Sequence, residues 1–161
     1  MSAGAPVLPA SVLVVPPAWC DYNEHFSDGY YLVAFSTAAE TALDAVGLGA
    51  RYRARGHHSA YTVESQVRYL REGKAGDALT IRHAVQAFDA KRFWLRQEMH
   101  RGDTLLATCT FVYLHVDTTV PRAAPFPPEV LERLAAYAGG PARGPAAPAA
   151  IPSPGGPSPA R

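Results

Sequence analysis

Cysteine is scarce in this sequence. Its 161 residues hold only Cys20 and Cys109, without C-x-x-C spacing and too few for a disulfide framework or a zinc cage. Both are read as reduced thiols, and a cytoplasmic location is expected. An excess of one charge is also missing: fifteen Lys and Arg meet fourteen Asp and Glu, for a formal net charge of +1. Nucleic-acid binders carry a clear basic surplus, so no nucleic-acid partner is expected. Long apolar runs are lacking too. The stretch Pro6 to Val15 is broken by Pro9 and has no basic residue before Arg51, unlike a signal peptide, and nothing approaches the ~18 residues of a membrane span. No membrane partner is expected. Nucleophile-elbow, phosphate-loop and dinucleotide glycine motifs are absent. The adjacent pair His57-His58 points apart on an extended chain and has no H-x-H or H-x-x-x-H partner, so no metal site is expected.

Hydrophobic residues make up 48% of the chain, enough for one domain with a real core at this length. That domain is placed at 1–138. From 139 to 161 seven prolines and five glycines occur with no acidic residue, a composition that cannot repay its ordering entropy by burial, and this tail is expected to be disordered.

Within the domain, Leu13 to Val15 reads as a short strand ended by Pro16-Pro17. A polar loop, Trp19-Cys20-Asp21-Tyr22-Asn23-Glu24-His25-Phe26, leads to Ser27 as an N-cap. Tyr31, Phe35, Ala38, Ala39, Ala42 and Val46 then recur at helical spacing up to a C-cap at Gly47. Arg51 to His58 reads as a loop. Beyond it the period becomes two, with Tyr61, Val63, Val67 and Tyr69 on one face and Thr62, Glu64, Gln66 and Arg68 on the other. Leu79 to Ala87, Phe93 to Met99 and Leu105 to Tyr113 repeat the alternation, with hairpins at Asp89-Ala90-Lys91 and Arg101-Gly102-Asp103. The last strand ends in Val112 to Val116, apolar on both faces like a central strand. Pro127-Pro128-Glu129 opens a short helix through Tyr137. An α+β fold follows, in which a curved antiparallel sheet wraps around one long helix and buries both apolar faces.

The loop Asp21-Tyr22-Asn23-Glu24-His25-Phe26-Ser27 with Gly29-Tyr30-Tyr31 resembles the D-x-N-x-H-x-N signature that precedes the central helix of hotdog-fold acyl-CoA thioesterases, with Ser27 in place of the final Asn. Tyr61-Thr62-Val63-Glu64, Arg68-Tyr69-Leu70, Asp89-Ala90-Lys91-Arg92 and Leu114-His115-Val116-Asp117 are more specifically similar to betainyl-CoA thioesterases of carnitine catabolism. The resemblance spans about residues 12 to 134. It implies a hotdog fold, hydrolysis of a small acyl-CoA such as betainyl-CoA, and no cofactor beyond the substrate's own coenzyme A. It also implies a homodimer or dimer of dimers with the site at the interface.

The residues can be read physically as well. Thioester hydrolysis needs a nucleophile or a base that delivers water, and donors for the developing oxyanion. Asp21 with Asn23 could supply the first, and free N–H groups of Gly29, Tyr30 and Tyr31 at the helix start the second. The plain alternative is that Asp21 and Asn23 only form Asx turns. His25 either orients Asp21 or a water, or is a structural hydrogen bonder. Glu64 is a second carboxylate, a counter-charge for a cationic acyl group, or a solvated residue paired with Arg68 or Lys91. Trp19, Tyr22, Phe26 and Tyr30 are candidates to hold a trimethylammonium group on their ring faces. Lys91 and Arg92 are candidates for the coenzyme A phosphates, with Arg51, Arg53 and Arg55 also available. A binding module of the same fold without turnover is the second reading, kept open by Ser27, and hydrolysis of an aryl- or fatty-acyl-CoA is a third, which would leave Glu64 without a cationic partner.

Overall fold

The long apolar stripe forms one helix, α1 (Asp28–Val46), in the computed structural model, which describes residues 5–139. Tyr31, Ala34, Phe35, Ala38, Ala39, Ala42, Leu43 and Val46 are buried, the period expected of one helix face. Ser27 begins it from an extended conformation, and Gly47 ends it at φ 84°, where a side chain would be strained. The Ser27 hydroxyl, however, makes no bond to a helix amide. Asp28 caps the helix in its place, with Oδ1 accepting the Gly29 N–H at 2.8 Å.

Alternating residues form β1 (Ser11–Val14), β2 (His58–Tyr69), β3 (Ala78–Phe88), β4 (Arg92–Arg101) and β5 (Thr104–Asp117), and a two-residue β6 (Arg122–Ala123) pairs with the end of β5. All pairings are antiparallel, in the order β1-β3-β4-β5-β2. The doubly apolar β5 thus lies between two neighbours, as its sequence predicts, and β2 is an edge. Ile81, Leu95, Met99, Cys109, Phe111 and Tyr113 join the buried face of α1 in one core. Both expected hairpins are present, the first held by Asp89, whose Oδ1 accepts the N–H groups of Lys91 (2.9 Å) and Arg92 (2.7 Å). The closing helix, here α3 (Pro128–Ala138), buries Val130 and Leu134. Of the expected disordered tail, Gly139 is the C-cap of α3, and residues 140–161 lie outside the described residues.

Two expectations are corrected. Part of the Arg51 to His58 loop is a short helix, α2 (Ala50–Ala54), anchored where the Tyr52 hydroxyl meets Nε2 of buried His115 at 2.8 Å. The faces of β2 also differ from simple alternation, because the register with β5 shifts between Thr62 and Glu64. The extra residue, Val63, reverses the parity of everything after it. Ser65, Val67 and Tyr69 stand opposite Phe111, Cys109 and Ala107 and share the helix side, while Tyr61 and Glu64 stand opposite Leu114 and Val112 on the other side. Tyr61 and Val63 are half-exposed, while Val67 is partly buried against the core.

One polar chain crosses the core. Buried Gln97 donates through Nε2 to Phe35 O (3.1 Å) and to His83 Nδ1 (3.1 Å). His83 Nε2 then faces Ser11 Oγ at 3.3 Å. Because Phe35 O can only accept, the amide nitrogen must face both groups, which fixes the neutral His83 tautomer with its proton on Nε2. Burial pushes the His83 pKa down to about 4.

Candidate functional site

The loop before α1 closes on itself. Cys20 bridges Phe26, Asp21 N–H donates to His25 O (2.9 Å), and Ser27 N–H donates to Trp19 O (2.9 Å). The turn inside it is tight enough that Glu24 has φ 62°, a left-handed conformation costly for a glutamate. The loop docks on the segment after β2, where Phe26 N–H donates to Gly73 O at 2.8 Å. Gly73 has no room for a side chain, since a Cβ there would press on Phe26 and on the Tyr31 hydroxyl at 3.1–3.2 Å.

Asp21 lies on the exposed side of this loop and divides its two oxygens. Oδ1 accepts the N–H groups of Asn23 (2.8 Å) and His25 (3.2 Å), so the Asx turn is real. Oδ2 makes no hydrogen bond among the described residues. The structural and chemical readings of Asp21 are thus compatible. Asn23 enters this geometry only through its backbone N–H. The His25 ring makes no hydrogen bond to Asp21 among the described residues and pairs through Nε2 with Glu72 Oε2 at 3.3 Å.

A cavity of about 560 Å³ opens here, lined by Asp21, His25, Phe26, Asp28, Tyr31, Tyr69, Leu70, Arg71 and Glu72. Three carboxylates face one arginine, so the cavity favours a cationic guest. Glu72, Asp28 and Tyr69 do not stand out as site residues in the sequence. Asp28 is recognisable there only as a first-turn acid and Tyr69 only as a strand residue, and no periodicity marks Glu72.

The amides expected to be free are not. Gly29 N–H is held by Asp28 Oδ1, and the N–H groups of Tyr30 and Tyr31 reach Ser27 O at 3.0 and 3.3 Å. The reason is local: the acidic N1 residue takes the Gly29 donor, and the Ser27 carbonyl takes those of Tyr30 and Tyr31. Space above Gly29 is nevertheless open, with nothing within 4 Å of where a Cβ would stand.

The aromatics form a stack rather than an open cage. Trp19 lies parallel to Tyr30 (5.4 Å) and Phe26 (6.0 Å), Phe26 on Tyr31 (4.1 Å), and Tyr31 meets Tyr69 edge-on at 5.2 Å. Rings stacked on one another spend their faces on each other. Phe26 and Tyr31 are core residues, and Tyr22 stands apart at 95% exposure. Burial, opposed by the Gly73 hydrogen bond, raises the Tyr31 pKa, so this phenol stays neutral.

Glu64 lies on the sheet face turned away from α1, outside the cavity lining. Neither Arg68 nor Lys91 forms an ion pair with it among the described residues. At the β3–β4 hairpin Arg92 is engaged: its guanidinium pairs with Asp89 at 2.8 Å and lies 5.3 Å from the Trp94 ring. Burial opposes the Asp89 charge, but the amides of Lys91 and Arg92 and that guanidinium outweigh it and lower its pKa. A second cavity of about 440 Å³, lined by Phe88, Asp89, Ala90, Leu131, Glu132 and Ala135, adjoins this hairpin. No three His, Cys, Asp or Glu side chains converge as a metal centre would require among the described residues. No helix there is long and apolar enough to cross a membrane.

Comparison with known proteins agrees with this fold. The sequence pattern of the thioesterase-like superfamily matches residues 15–134. An L-carnitine dehydrogenase/betainyl-CoA thioesterase of Agrobacterium fabrum is 40% identical over 117 residues, covering 72% of this chain but only 24% of that protein. The betainyl-CoA thioesterase of Pseudomonas aeruginosa is 35% identical over 126 residues, 77% of this chain and 79% of that one. A Staphylococcus aureus protein solved in complex with CoA superposes with a TM-score of 0.81 at 22% identity, over 89% of this chain and 90% of that one, a likeness of fold. The chain belongs to the thioesterase-like superfamily and has its hotdog fold.

Proposed function

We propose that this protein hydrolyses a small acyl-CoA, best matched by betainyl-CoA, to glycine betaine and free coenzyme A. The observation that carries the reading is the divided carboxylate of Asp21: one oxygen fixes the loop, and the other has no partner among the described residues at the mouth of the acidic cavity. That oxygen either takes the proton of an attacking water or itself attacks the thioester carbon. In the first route the activated water adds to the carbonyl carbon and the C–S bond breaks; in the second the C–S bond breaks as an anhydride forms between Asp21 and the acyl group, and a water then cleaves that anhydride. Either way one water is consumed, and the free thiol and the carboxylate of the acyl product are released. Asp28 and Glu72 supply negative charge suited to a quaternary ammonium, which cannot lose its charge by deprotonation. Tyr69, half-exposed in the lining, offers a ring to the guest, while Phe26 and Tyr31, stacked on each other, back the cavity. The curated relatives named for betainyl-CoA hydrolysis support the same acyl group.

Gly29 contributes to the oxyanion site when the Asp28 carboxylate releases its amide, since the space above it is open. Lys91, whose ammonium is not tied into the hairpin, and Arg92 meet the coenzyme A phosphates, with the apolar cavity beside Ala90 available to the nucleotide. A free edge at β2, with Tyr61, Val63, Tyr69 and Leu70 each at least half-exposed, suits a homodimer joined along that edge. Light scattering giving the mass of a single chain at micromolar concentration would remove this assembly. Free Cys20 and Cys109 suit a cytoplasmic setting.

One observation favours a second reading, an acyl-CoA-binding module without turnover: all three candidate oxyanion amides are already hydrogen-bonded. Thiol release across a panel of acyl-CoA substrates that includes betainyl-CoA separates the two. Turnover is expected, fastest with betainyl-CoA. Binding without thiol release would establish the second reading.

A further inference from the structure

We propose that the cleft at the C-terminal end of α1 is a phosphate-binding site separate from the cavity at Asp21. The cleft measures about 440 Å³ and is lined by Asp44, Gly47, Gly49, Arg51, Tyr52, Arg55 and Arg133. Three guanidiniums there face one carboxylate, and none of the three has an ion-pair partner among the described residues. Arg53, between two of them in sequence, behaves differently: its Nη1 donates to Gly56 O at 2.8 Å and it does not line the cleft. The cations are gathered from α2 (Arg51), its C-cap (Arg55) and α3 (Arg133), so they are not a run of charge along one solvated face.

The cleft is also held in shape. Tyr52 pins α2 to the buried His115, whose ring also meets Ala124 O at 2.9 Å. Two glycines make the close approaches possible: a Cβ at Gly47 would overlap the Arg133 guanidinium, and one at Gly49 would overlap the Asp44 carboxylate. Arg133 thereby seats against the end of α1, and Asp44 is drawn back against the backbone. Guanidinium forks bind phosphate oxygens in bidentate pairs, and several convergent forks suit a dianion better than a monovalent ion. Asp21 precedes α1 and the cleft follows it, and the 19 residues of that helix span about 27 Å. The site is therefore independent of the acyl end of any substrate bound beside Asp21 of the same chain. A phosphate group presented by a nucleotide and a free inorganic phosphate share this chemistry.

Calorimetric titration of the full chain with inorganic phosphate and, separately, with adenosine 3′,5′-bisphosphate tests the proposal, with ionic strength held constant by sodium chloride. Saturable binding of at least one probe is expected. Arg55→Gln and Arg133→Gln should each weaken it about tenfold, the factor for losing one charge-assisted contact, while Arg133→Lys recovers part of the loss and Arg53→Gln changes nothing. Tighter binding of the bisphosphate assigns a nucleotide as the source where Arg55→Gln and Arg133→Gln weaken it and Lys91→Gln does not, because the hairpin at Lys91 and Arg92 is the place proposed for the coenzyme A phosphates. Equal binding assigns free phosphate. The proposal is overturned if neither probe saturates, if the variants bind like the wild type, or if Arg53→Gln weakens binding as much as the others. All four arginines are exposed, so circular dichroism should show unchanged folds.

Discussion

Replacing Asp21 in two different ways separates the turn that it builds from the chemistry proposed for it. Oδ1 holds two backbone amides, at 2.8 and 3.2 Å, and Oδ2 holds none. Asp21→Asn keeps an acceptor oxygen for the turn and replaces only the free oxygen by an amide. Asp21→Ala removes both. On an exposed loop each lost hydrogen bond is worth about 0.5–1 kcal/mol, so the alanine variant should lose about 1–2 kcal/mol and melt several degrees lower. The asparagine variant should melt within about a degree of the wild type. Turnover should fall in both variants by about 100- to 10,000-fold, the usual contribution of a positioned base. Thermal unfolding and thiol release measured on the same preparations give both numbers. An asparagine variant retaining more than a tenth of the wild-type rate, less than ~1.4 kcal/mol of barrier, would refute the catalytic role. Equal losses of Tm in the two variants would refute the division of labour between the oxygens.

Four further outcomes are expected. Glu72→Gln should depress use of betainyl-CoA more than that of a neutral acyl-CoA of similar size, because Glu72 lines the cavity. Glu64→Gln should show the same selectivity only if a second protomer brings this edge to its own site, and an equal effect on both substrates would remove Glu64 from acyl recognition. His83 is neutral in the fold with its pKa at about 4, against ~6.5 unfolded, so below pH 6.5 the unfolded chain binds the extra proton and stability falls until pH 4. That shift predicts a loss of about 2 kcal/mol between pH 7 and 5 that His83→Gln lacks, read from urea midpoints, and parallel pH profiles of the two proteins would contradict it. Gly73→Ala should cost about 1–3 kcal/mol in denaturant unfolding, because the new methyl presses on Phe26 and Tyr31, and an unchanged midpoint would show that the aromatic stack gives way freely.

The elements of this fold are readable locally because each depends on near neighbours. The buried stripe from Tyr31 to Val46, its limits at Ser27 and Gly47, the alternating strands and the Asp89 and Gly102 hairpins follow from periods of 3.6 and two and from turn chemistry. The loop around Asp21 is equally visible, since a polar turn before a capped helix is a local pattern. What the sequence could not decide was anything resting on register or on distant segments meeting. One unpaired residue at Val63 turns Tyr61 to the face opposite α1, away from Val67 and Tyr69, and alternation carries no sign of where a bulge falls. His25 meets Glu72, and Arg133 joins Arg51 and Arg55, only because the sheet and helices bring these segments together. The Gly29 amide, free by sequence position, is taken by the Asp28 carboxylate. Local periodicity determines which elements form, and long-range pairing and packing decide which side chains share a site.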